Sequence, residues 1–197
     1  MWDERFGTKE YLFGTEPASF LRDNVGLVPP GARTLCIAEG EGRNAVFLAG
    51  LGCQVTAFDA SAVGLDKARK LAGARGVQLA LHHATIEEWD WSQPFDLVVG
   101  VFIQFVGPEG RTALFDGIRR ALGPGGRLML HGYTPEQVAL GTGGPGRREN
   151  MYTQDMLRDS FADLQVLRLA SYEKVLREGT GHSGRSALID FIADAPA

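Results

Sequence analysis

Residues 34–59 read TLCIAEGEGRNAVFLAGLGCQVTAFD, and this stretch decides the fold. The apolar run over 34–38 predicts a strand that stops at the glycine turn Glu39-Gly40-Glu41-Gly42. A helix over 43–49 and a second strand over 54–58 follow, and Asp59 comes directly after that strand. This is a βαβ plan of the dinucleotide type, in which an acidic residue lies about 20 positions beyond the first glycine. The stretch therefore predicts a doubly wound α/β protein.

Two kinds of ligand fit such a turn. Gly40-x-Gly42-x-x-Ala45 matches the permissive dinucleotide fingerprint, and the helix dipole would favour a pyrophosphate there. Glu39 and Glu41 oppose it, because a carboxylate about 5 Å from a phosphate charge costs about 3 kcal/mol at an effective dielectric near 20. S-adenosylmethionine (SAM) carries a sulfonium and an ammonium, and the same acids attract these cations. The turn favours SAM, and Asp59 suits ribose hydroxyls in either case.

The length and charge of the chain narrow its class. A chain of 197 residues fits one α/β domain, and a net charge of −4 with mixed signs argues against a nucleic-acid partner. No apolar run reaches the ~18 residues of a membrane span, and the N-terminus is unlike a signal peptide. We therefore expect a cytoplasmic protein without a membrane partner, and the oligomeric state stays open. Cys36, Cys53 and the pair His82-His83 lack metal-ligand spacing, so no metal is expected.

Periodic apolar patterns extend the alternation of strands and helices along the chain. Further strands are expected over 77–82, 95–102 and 127–131, with a terminal hairpin of strands near 164–176 and 186–193. Helices are expected over 2–9, 17–24, 61–74 (with Ser61 as N-cap), 108–122 and 153–161, and residues 134–150 form a Gly/Pro-rich loop. The hairpin would place one antiparallel strand in an otherwise parallel, Rossmann-like sheet with helices on both faces.

Several segments carry a resemblance to a known family. They are WDERF…YLFGTEPASFL, EGEGRNAVFLA, VTAFDAS, LGPGGRLML, GYTPEQ…GTGGP and EGTGHSG. With them the chain resembles class I SAM-dependent methyltransferases over nearly its full length, most closely the group of the tellurite-resistance and thiopurine methyltransferases. The resemblance implies a single domain over residues 1–197 and seven strands in the order 3-2-1-4-5-7-6. It also implies that a helical N-terminal segment, residues 1–30, covers the cofactor.

The same resemblance implies cofactor contacts. The acid–glycine turn and Asn44 would hold the methionine part of SAM, Asp59 the ribose, and Ala60 and Ser61 the adenine edge. The loop after the third strand has Thr85-Ile86 where relatives present an acid and then an apolar residue. The full implied set is Trp2, Arg5, Gly14, Glu39, Gly40, Glu41, Gly42, Asn44, Asp59, Ala60, Ser61, Thr85, Ile86 and Val101.

Three residues are candidates for catalysis at the methyl acceptor. Tyr133 follows the fifth strand, Gln104 follows the fourth, and His182 lies in a glycine-rich hairpin turn. Each has a structural alternative: Tyr133 as a wall residue, Gln104 as a loop support, and His182 as an exposed turn residue. An ordinary histidine pKa of about 6.5 would suit a general base.

The resemblance makes a SAM-dependent methyltransferase the leading hypothesis, with a small-molecule acceptor attacked in line. A thiol or a chalcogen oxyanion is favoured, because a soft nucleophile needs little base catalysis and no catalytic triad is evident. The alternative is a non-catalytic regulator or scaffold that binds SAM on the same fold. A nicotinamide-dependent oxidoreductase shares the glycine pattern, but Glu39 and the lack of a Tyr-x-x-x-Lys pair disfavour it.

Overall fold

A seven-stranded sheet forms the centre of the structure, a computed structural model that describes residues 1–197. The strands lie in the order β3-β2-β1-β4-β5-β7-β6. β7 runs antiparallel to β5 and β6, and the other neighbours are parallel. The predicted order and the antiparallel hairpin are therefore confirmed. The strands are β1 Arg33–Ile37, β2 Gln54–Asp59, β3 Ala80–His83, β4 Phe95–Val101, β5 Leu122–Tyr133, β6 Gln165–Glu178 and β7 His182–Asp194.

Helices connect the strands, and two of them begin at a side-chain cap. Ser61 Oγ accepts the N–H of Gly64 at 3.0 Å, as its predicted role as N-cap requires. Thr153 caps the last helix in the same way. The helices are α1 Trp2–Phe6, α2 Ser19–Asp23, α3 Arg43–Gly50, α4 Ala62–Ala74, α5 Pro108–Ala121, α6 Gln137–Leu140 and α7 Gln154–Ser160, with 3₁₀ turns at Val25–Leu27 and Arg148–Asn150.

Each central strand alternates between two apolar cores, one on each face of the sheet. In β1, Leu35 and Ile37 belong to one core, and Cys36 belongs to the other. The first core contains the buried side chains of α5 and α7, and the second contains those of α2 and α3. Because successive side chains of a strand point to opposite faces, this division places helices on both faces of the sheet. The predicted doubly wound architecture is confirmed.

Two predicted strand boundaries are wrong for local reasons. The third strand begins at Ala80, not at residue 77, because Gly76 (φ +66°) ends α4 and the N–H of Val77 bonds back to the carbonyl of Ala72. The fifth strand begins earlier than residue 127, since Leu122 already pairs with Phe95 and the register then shifts. Residues 123–126 are thus an irregular first part of β5. The hairpin strands are also longer than predicted, and only residues 179–181 separate them.

The first two helices are shorter than predicted. α1 ends at Phe6, where the N–H of Gly7 bonds to the carbonyl of Glu4, so residues 7–9 lie outside it. α2 begins at Ser19, which leaves residue 17 before the helix and not at its first position. The cause is the N–H of Ala18, which donates to the side chain of Asn44 at 2.9 Å and anchors the chain there.

The N-terminal segment lies over the ends of the strands and is fastened at several points. Asp3 accepts hydrogen bonds from Ser61 Oγ and from the N–H of Val63. The carbonyl of Leu12 accepts the N–H groups of Thr180 and Gly181, in the turn between β6 and β7. These bonds connect residues far apart in the sequence and place the segment beside the glycine turn. None of the helices combines the length and the apolar character that crossing a membrane would require.

Candidate functional site

A cavity of about 390 Å³ opens where β1 and β4 lie side by side and the strand order reverses. The residue after each of these strands has a positive φ without being glycine: Ala38 at +47° and Phe102 at +58°. Such backbone is sparsely populated, and it turns both chains sharply at the carboxyl edge of the sheet. Ala38 and Phe102 both line the cavity. The site therefore lies at the crevice where open α/β sheets bind their ligands.

Glu39 closes the N-terminus of α3. Its Oε1 accepts the N–H groups of Asn44 and Ala45, both at 2.8 Å. These are two of the donors that the first turn of a helix leaves without partners. The second oxygen, Oε2, has no partner in the protein and is not sealed from solvent. Burial raises the pKa of Glu39 to about 7, although the two N–H groups and Arg43 act in the opposite direction.

Asp59 joins the two loops at the edge of the cavity. Its Oδ2 accepts the N–H of Gly40 and its Oδ1 accepts the N–H of Ser61, both at 2.8 Å. The carboxyl group is buried, and burial raises its pKa above the ordinary value against the effect of these N–H groups. Each oxygen keeps a further lone pair, so Asp59 can accept from a pair of neighbouring hydroxyls.

Glu41 and Gly42 do not line the cavity, contrary to the prediction from the sequence. Glu41 is 3% exposed, and its carboxylate pairs with Lys67 Nζ at 2.7 Å and accepts the N–H of Leu12 at 2.8 Å. It fastens the N-terminal segment to α4. Gly42 is the N-cap of α3 at φ +89°, and a Cβ there would lie 2.6 Å from the Cβ of Ala68. This glycine allows α3 and α4 to approach each other.

Ser61 and Gly14 also lie outside the cavity lining. The hydroxyl of Ser61 is engaged by Gly64 and Asp3, which accounts for its position at the start of α4. Gly14 has φ +73° where the N-terminal segment passes the turn at Gly179. Both residues shape segments around the cavity, and neither is placed to touch its contents.

The structure brings the other predicted cofactor residues together around the cavity. On the side expected for adenine, the hydroxyl of Thr85 accepts the N–H of Glu88, and Glu88 Oε2 accepts the N–H of Thr85. Glu87, which the sequence reasoning missed, lines the cavity directly after Ile86 and supplies an acid in this loop. The predicted lining residues are Trp2, Arg5, Glu39, Gly40, Asn44, Asp59, Ala60, Thr85, Ile86 and Val101.

Aromatic residues of the N-terminal segment cover the cavity. The guanidinium of Arg5 lies 4.5 Å from the ring centre of Trp2, which stacks on Phe6 at 5.4 Å. Phe6 and Phe13 also line the cavity. The signal was present in the aromatic excess before residue 20, but composition alone does not separate core from cavity.

Arg43 was missed because its partner is distant in the sequence. It lines the cavity and is buried, and its guanidinium pairs with Glu178 at 2.8 Å and donates to the carbonyl of Phe13 at 3.2 Å. Glu178 also accepts the N–H of Ser19. The buried Arg43–Glu178 ion pair thus connects α3, β6 and the N-terminal segment. Nothing in the local sequence around Arg43 indicates this contact.

The three candidates for catalysis meet at the other end of the cavity. Both polar atoms of the Gln104 side chain bind the backbone of Tyr133. Nε2 donates to the carbonyl of Tyr133 at 2.8 Å, and Oε1 accepts its N–H at 2.6 Å. It is therefore a support for the end of β5. The Tyr133 hydroxyl lies 2.6 Å from Nδ1 of His182, and the His182 ring lies between Phe13 at 4.4 Å and Phe102 at 4.1 Å.

The environment of His182 overturns its expected role as a base with an ordinary pKa. Burial, with Arg43 as the next contribution, lowers the pKa of His182 to about 3. The residue is also 8% exposed, so it is not the exposed turn residue of the alternative interpretation. Burial raises the pKa of Tyr133. Both side chains are neutral near pH 7, and neither is suited to remove a proton from an acceptor.

Comparison with known proteins agrees with this geometry. Residues 34–126 match the family model described as a methyltransferase domain. A ribosomal protein L11 methyltransferase of Symbiobacterium thermophilum is 33% identical over 107 residues, which cover 54% of this chain and 34% of that protein. The chain thus spans about a third of this relative's length. The family-model match includes the glycine turn, Asp59 and Thr85-Ile86.

Solved structures share the fold at low identity. NodS, an N-methyltransferase of Bradyrhizobium japonicum crystallised with S-adenosylhomocysteine, gives a TM-score of 0.72 at 12% identity and covers 100% of this chain and 97% of its own. TehB of Haemophilus influenzae gives 0.74 at 14% identity, over 98% of this chain and 65% of its own. The fold is the Rossmann-like methyltransferase fold. These likenesses do not select the tellurite-resistance and thiopurine group among its members.

Proposed function

We propose that this protein is a SAM-dependent methyltransferase that acts on a small-molecule acceptor. The Glu39 carboxylate carries this proposal. It occupies the N–H groups of Asn44 and Ala45 that would otherwise bind a phosphate at the start of α3. A pyrophosphate would meet a carboxylate where a dinucleotide fold offers free donors. A cationic ligand finds in Oε2 an acceptor that has no protein partner and is not sealed from solvent.

The residues around the cavity suit the parts of SAM in turn. Glu39, Gly40 and Asn44 would hold the methionine part, with the ammonium near Glu39. Asp59 would accept hydrogen bonds from the ribose hydroxyls. The apolar loop residues around Ile86 and the acid Glu87 would meet the adenine ring and its amine, while Trp2 and Arg5 cover the open side.

The acceptor would enter beside Phe102 and Tyr133, which line the same cavity as the proposed cofactor residues. The departing thioether of SAM is neutral and leaves easily, so the main task of the protein is to align the acceptor with the methyl group. Such alignment lowers the activation free energy by up to about 7–11 kcal/mol. A thiol or a chalcogen oxyanion fits this demand, because such nucleophiles attack without a general base.

Calorimetric titration with SAM, S-adenosylhomocysteine and NADH tests the proposal. Glu39→Gln removes the charge and keeps an oxygen for the two N–H groups, and Asp59→Asn does the same at the ribose position. We expect adenosyl ligands to bind and NADH not to bind, and each substitution to weaken SAM binding about 10- to 100-fold. Asp66→Ala, which removes an exposed carboxylate on α4, is the matched control and should leave binding unchanged.

Turnover separates an enzyme from a regulator that only binds SAM. Radiolabelled methyl transfer is measured with arylthiols, alkylthiols, selenite and tellurite as acceptors. Transfer to any of them supports the enzyme. Tight SAM binding without transfer to any acceptor would favour the non-catalytic alternative, and binding of NADH in place of SAM would overturn the assignment of the turn.

A further inference from the structure

His182 and Tyr133 form an isolated polar pair in apolar surroundings. The Tyr133 hydroxyl has one hydrogen-bond partner in the structure, Nδ1 of His182 at 2.6 Å, and the tyrosine is 1% exposed. Phe13 and Phe102 lie against the two faces of the imidazole ring. The second ring nitrogen, Nε2, has no protein partner, yet it is not sealed from solvent, and His182 lines the cavity. Nε2 is therefore the open polar atom of this pair.

The hydrogen-bonding pattern decides which nitrogen carries the proton. If Nδ1–H donated to the tyrosine, the phenolic hydrogen would be buried without an acceptor, which costs about 1–3 kcal/mol. If the tyrosine donates to Nδ1, both groups are satisfied and the imidazole proton lies on Nε2. The low pKa of His182 keeps the ring neutral, so it has a single proton to place.

Resting on the proposed function above, we propose that His182 positions the methyl acceptor, with Tyr133 fixing the tautomer that presents Nε2–H to the cavity as a hydrogen-bond donor. Tyr133 acts through His182 and is a positioning residue, whereas His182 touches the acceptor. This pair is distinct from a general base, because an Nε2–H group has no lone pair with which to take a proton.

Other polar groups at this end of the cavity are already engaged. Both amide atoms of Gln104 bind the backbone of Tyr133, and Arg43 is paired with Glu178. The titratable groups that act on His182 are Arg43 from α3, Glu178 from β6, His131 from β5 and Arg5 from α1. Among the side chains, an acceptor here meets aromatic rings and the neutral Nε2–H donor. A strongly hydrated oxyanion such as selenite would lose its water without gaining enough donors.

The acceptor class follows from this inventory. It is an apolar molecule whose nucleophilic atom also accepts the hydrogen bond from Nε2–H and loses its proton to water before attack, such as an arylthiol. The thiolate lone pair forms the new S–C bond, the bond from the methyl carbon to the SAM sulfur breaks, and its electron pair leaves S-adenosylhomocysteine neutral at sulfur. The reaction consumes one anion and one sulfonium and needs no further reactant.

The tautomer is measured without any cofactor by long-range ¹H–¹⁵N NMR of the imidazole rings. The chain has 4 histidines, so loss of one set of signals in His182→Asn assigns the residue. We expect a neutral Nε2–H ring from pH 8 down to pH 5. Tyr133→Phe should replace this single tautomer by a mixture. Tyr152→Phe is the matched control, because the Tyr152 hydroxyl is buried without a partner and its removal should leave the His182 signals unchanged.

The acceptor contact is measured separately. Thiophenol added to the complex with S-adenosylhomocysteine should shift the His182 Nε2–H resonance, and in turnover Tyr133→Phe should raise the KM for thiophenol between about two- and tenfold with the Kd for SAM unchanged. An Nδ1–H tautomer, an imidazolium at pH 6, or no shift on adding thiophenol would overturn the proposal. Failure to bind SAM would instead overturn the proposed function and would leave the tautomer result intact.

Discussion

Gly42→Ala tests the packing that places the glycine turn. The residue has φ +89° as the N-cap of α3, and a Cβ there would lie 2.6 Å from the Cβ of Ala68 and 2.7 Å from its Cα. Ala68 is fully buried on α4, so it has no free space into which to move. The substitution therefore forces both an unfavourable backbone conformation and a separation of α3 from α4.

The expected loss of stability has two parts. A left-handed conformation costs an alanine about 1–2 kcal/mol, and overpacking of a filled site costs about 1–3 kcal/mol. The sum is about 2–5 kcal/mol. Because a chain of this size loses about 2–4 °C of Tm per kcal/mol, Gly42→Ala should melt roughly 4–20 °C below the wild type. Calorimetry and urea denaturation followed by circular dichroism measure both quantities.

Two variants separate the contributions. Gly73→Ala on α4 is the matched control: no atom lies within 4 Å of its Cβ position and its φ is not positive, so we expect unchanged or slightly higher stability. In the background Ala68→Gly the contact with the Cβ is removed, but the Cα of residue 68 still lies 2.7 Å from the new methyl group, so Gly42→Ala should cost less than in the wild type and more than the backbone part alone. A Gly42→Ala protein within about 0.5 kcal/mol of the wild type would refute the reasoning.

Three further outcomes are expected. Since Glu39 has a pKa of about 7 and SAM is cationic, SAM affinity should rise from pH 6 to pH 8 as the carboxyl ionises, and calorimetry should show a weaker rise in Glu39→Gln. Lys67→Met leaves the Glu41 carboxylate buried without its cation, so the free energy of unfolding measured in urea should fall by about 3–5 kcal/mol. The double variant Glu41→Gln/Lys67→Met, which removes both charges, should lose less stability than Lys67→Met alone. Deletion of 141–146, which removes Gly144 and Pro145 from the cavity wall, should reduce turnover far more than SAM affinity, and equal losses would contradict this.

Features of the fold that depend on residues close together in the sequence were predicted from local sequence patterns. The central strands β1, β4 and β5 were predicted from continuous apolar runs, because a strand that is covered on both faces is apolar at successive positions. The cap at Ser61 follows from a side chain that reaches an N–H group three residues away. The boundary at Gly76 was mistaken because the N–H of Val77 returns to the helix, and apolar residues 77–79 look the same in a strand or after a helix.

Long-range pairing decides what the sequence pattern left open. Glu39 and Glu41 lie two positions apart in the same motif, yet only Glu39 lines the cavity, because Lys67 captures Glu41 from another helix. His182 carries no local sign that Tyr133 and two phenylalanine rings enclose it. The motif therefore predicted the position of the site, while the state of its side chains depends on contacts separated by 26 to 49 residues or more.

The two ends of the cavity differ in charge in a way that suits the proposed chemistry. The cofactor end has carboxylates at Glu39 and Asp59, and the acceptor end has aromatic rings around a neutral Tyr133–His182 pair. When a thiolate attacks a sulfonium, two opposite charges disappear, and the transition state is less polar than the reactants. An environment of low polarity that excludes water therefore destabilises the separated charges more than the transition state. In the proposed complex Glu39 would hold SAM through its ammonium and Asp59 would hold it through the ribose hydroxyls. The reaction leaves both groups unchanged, so binding and methyl transfer would draw on different parts of the same cavity.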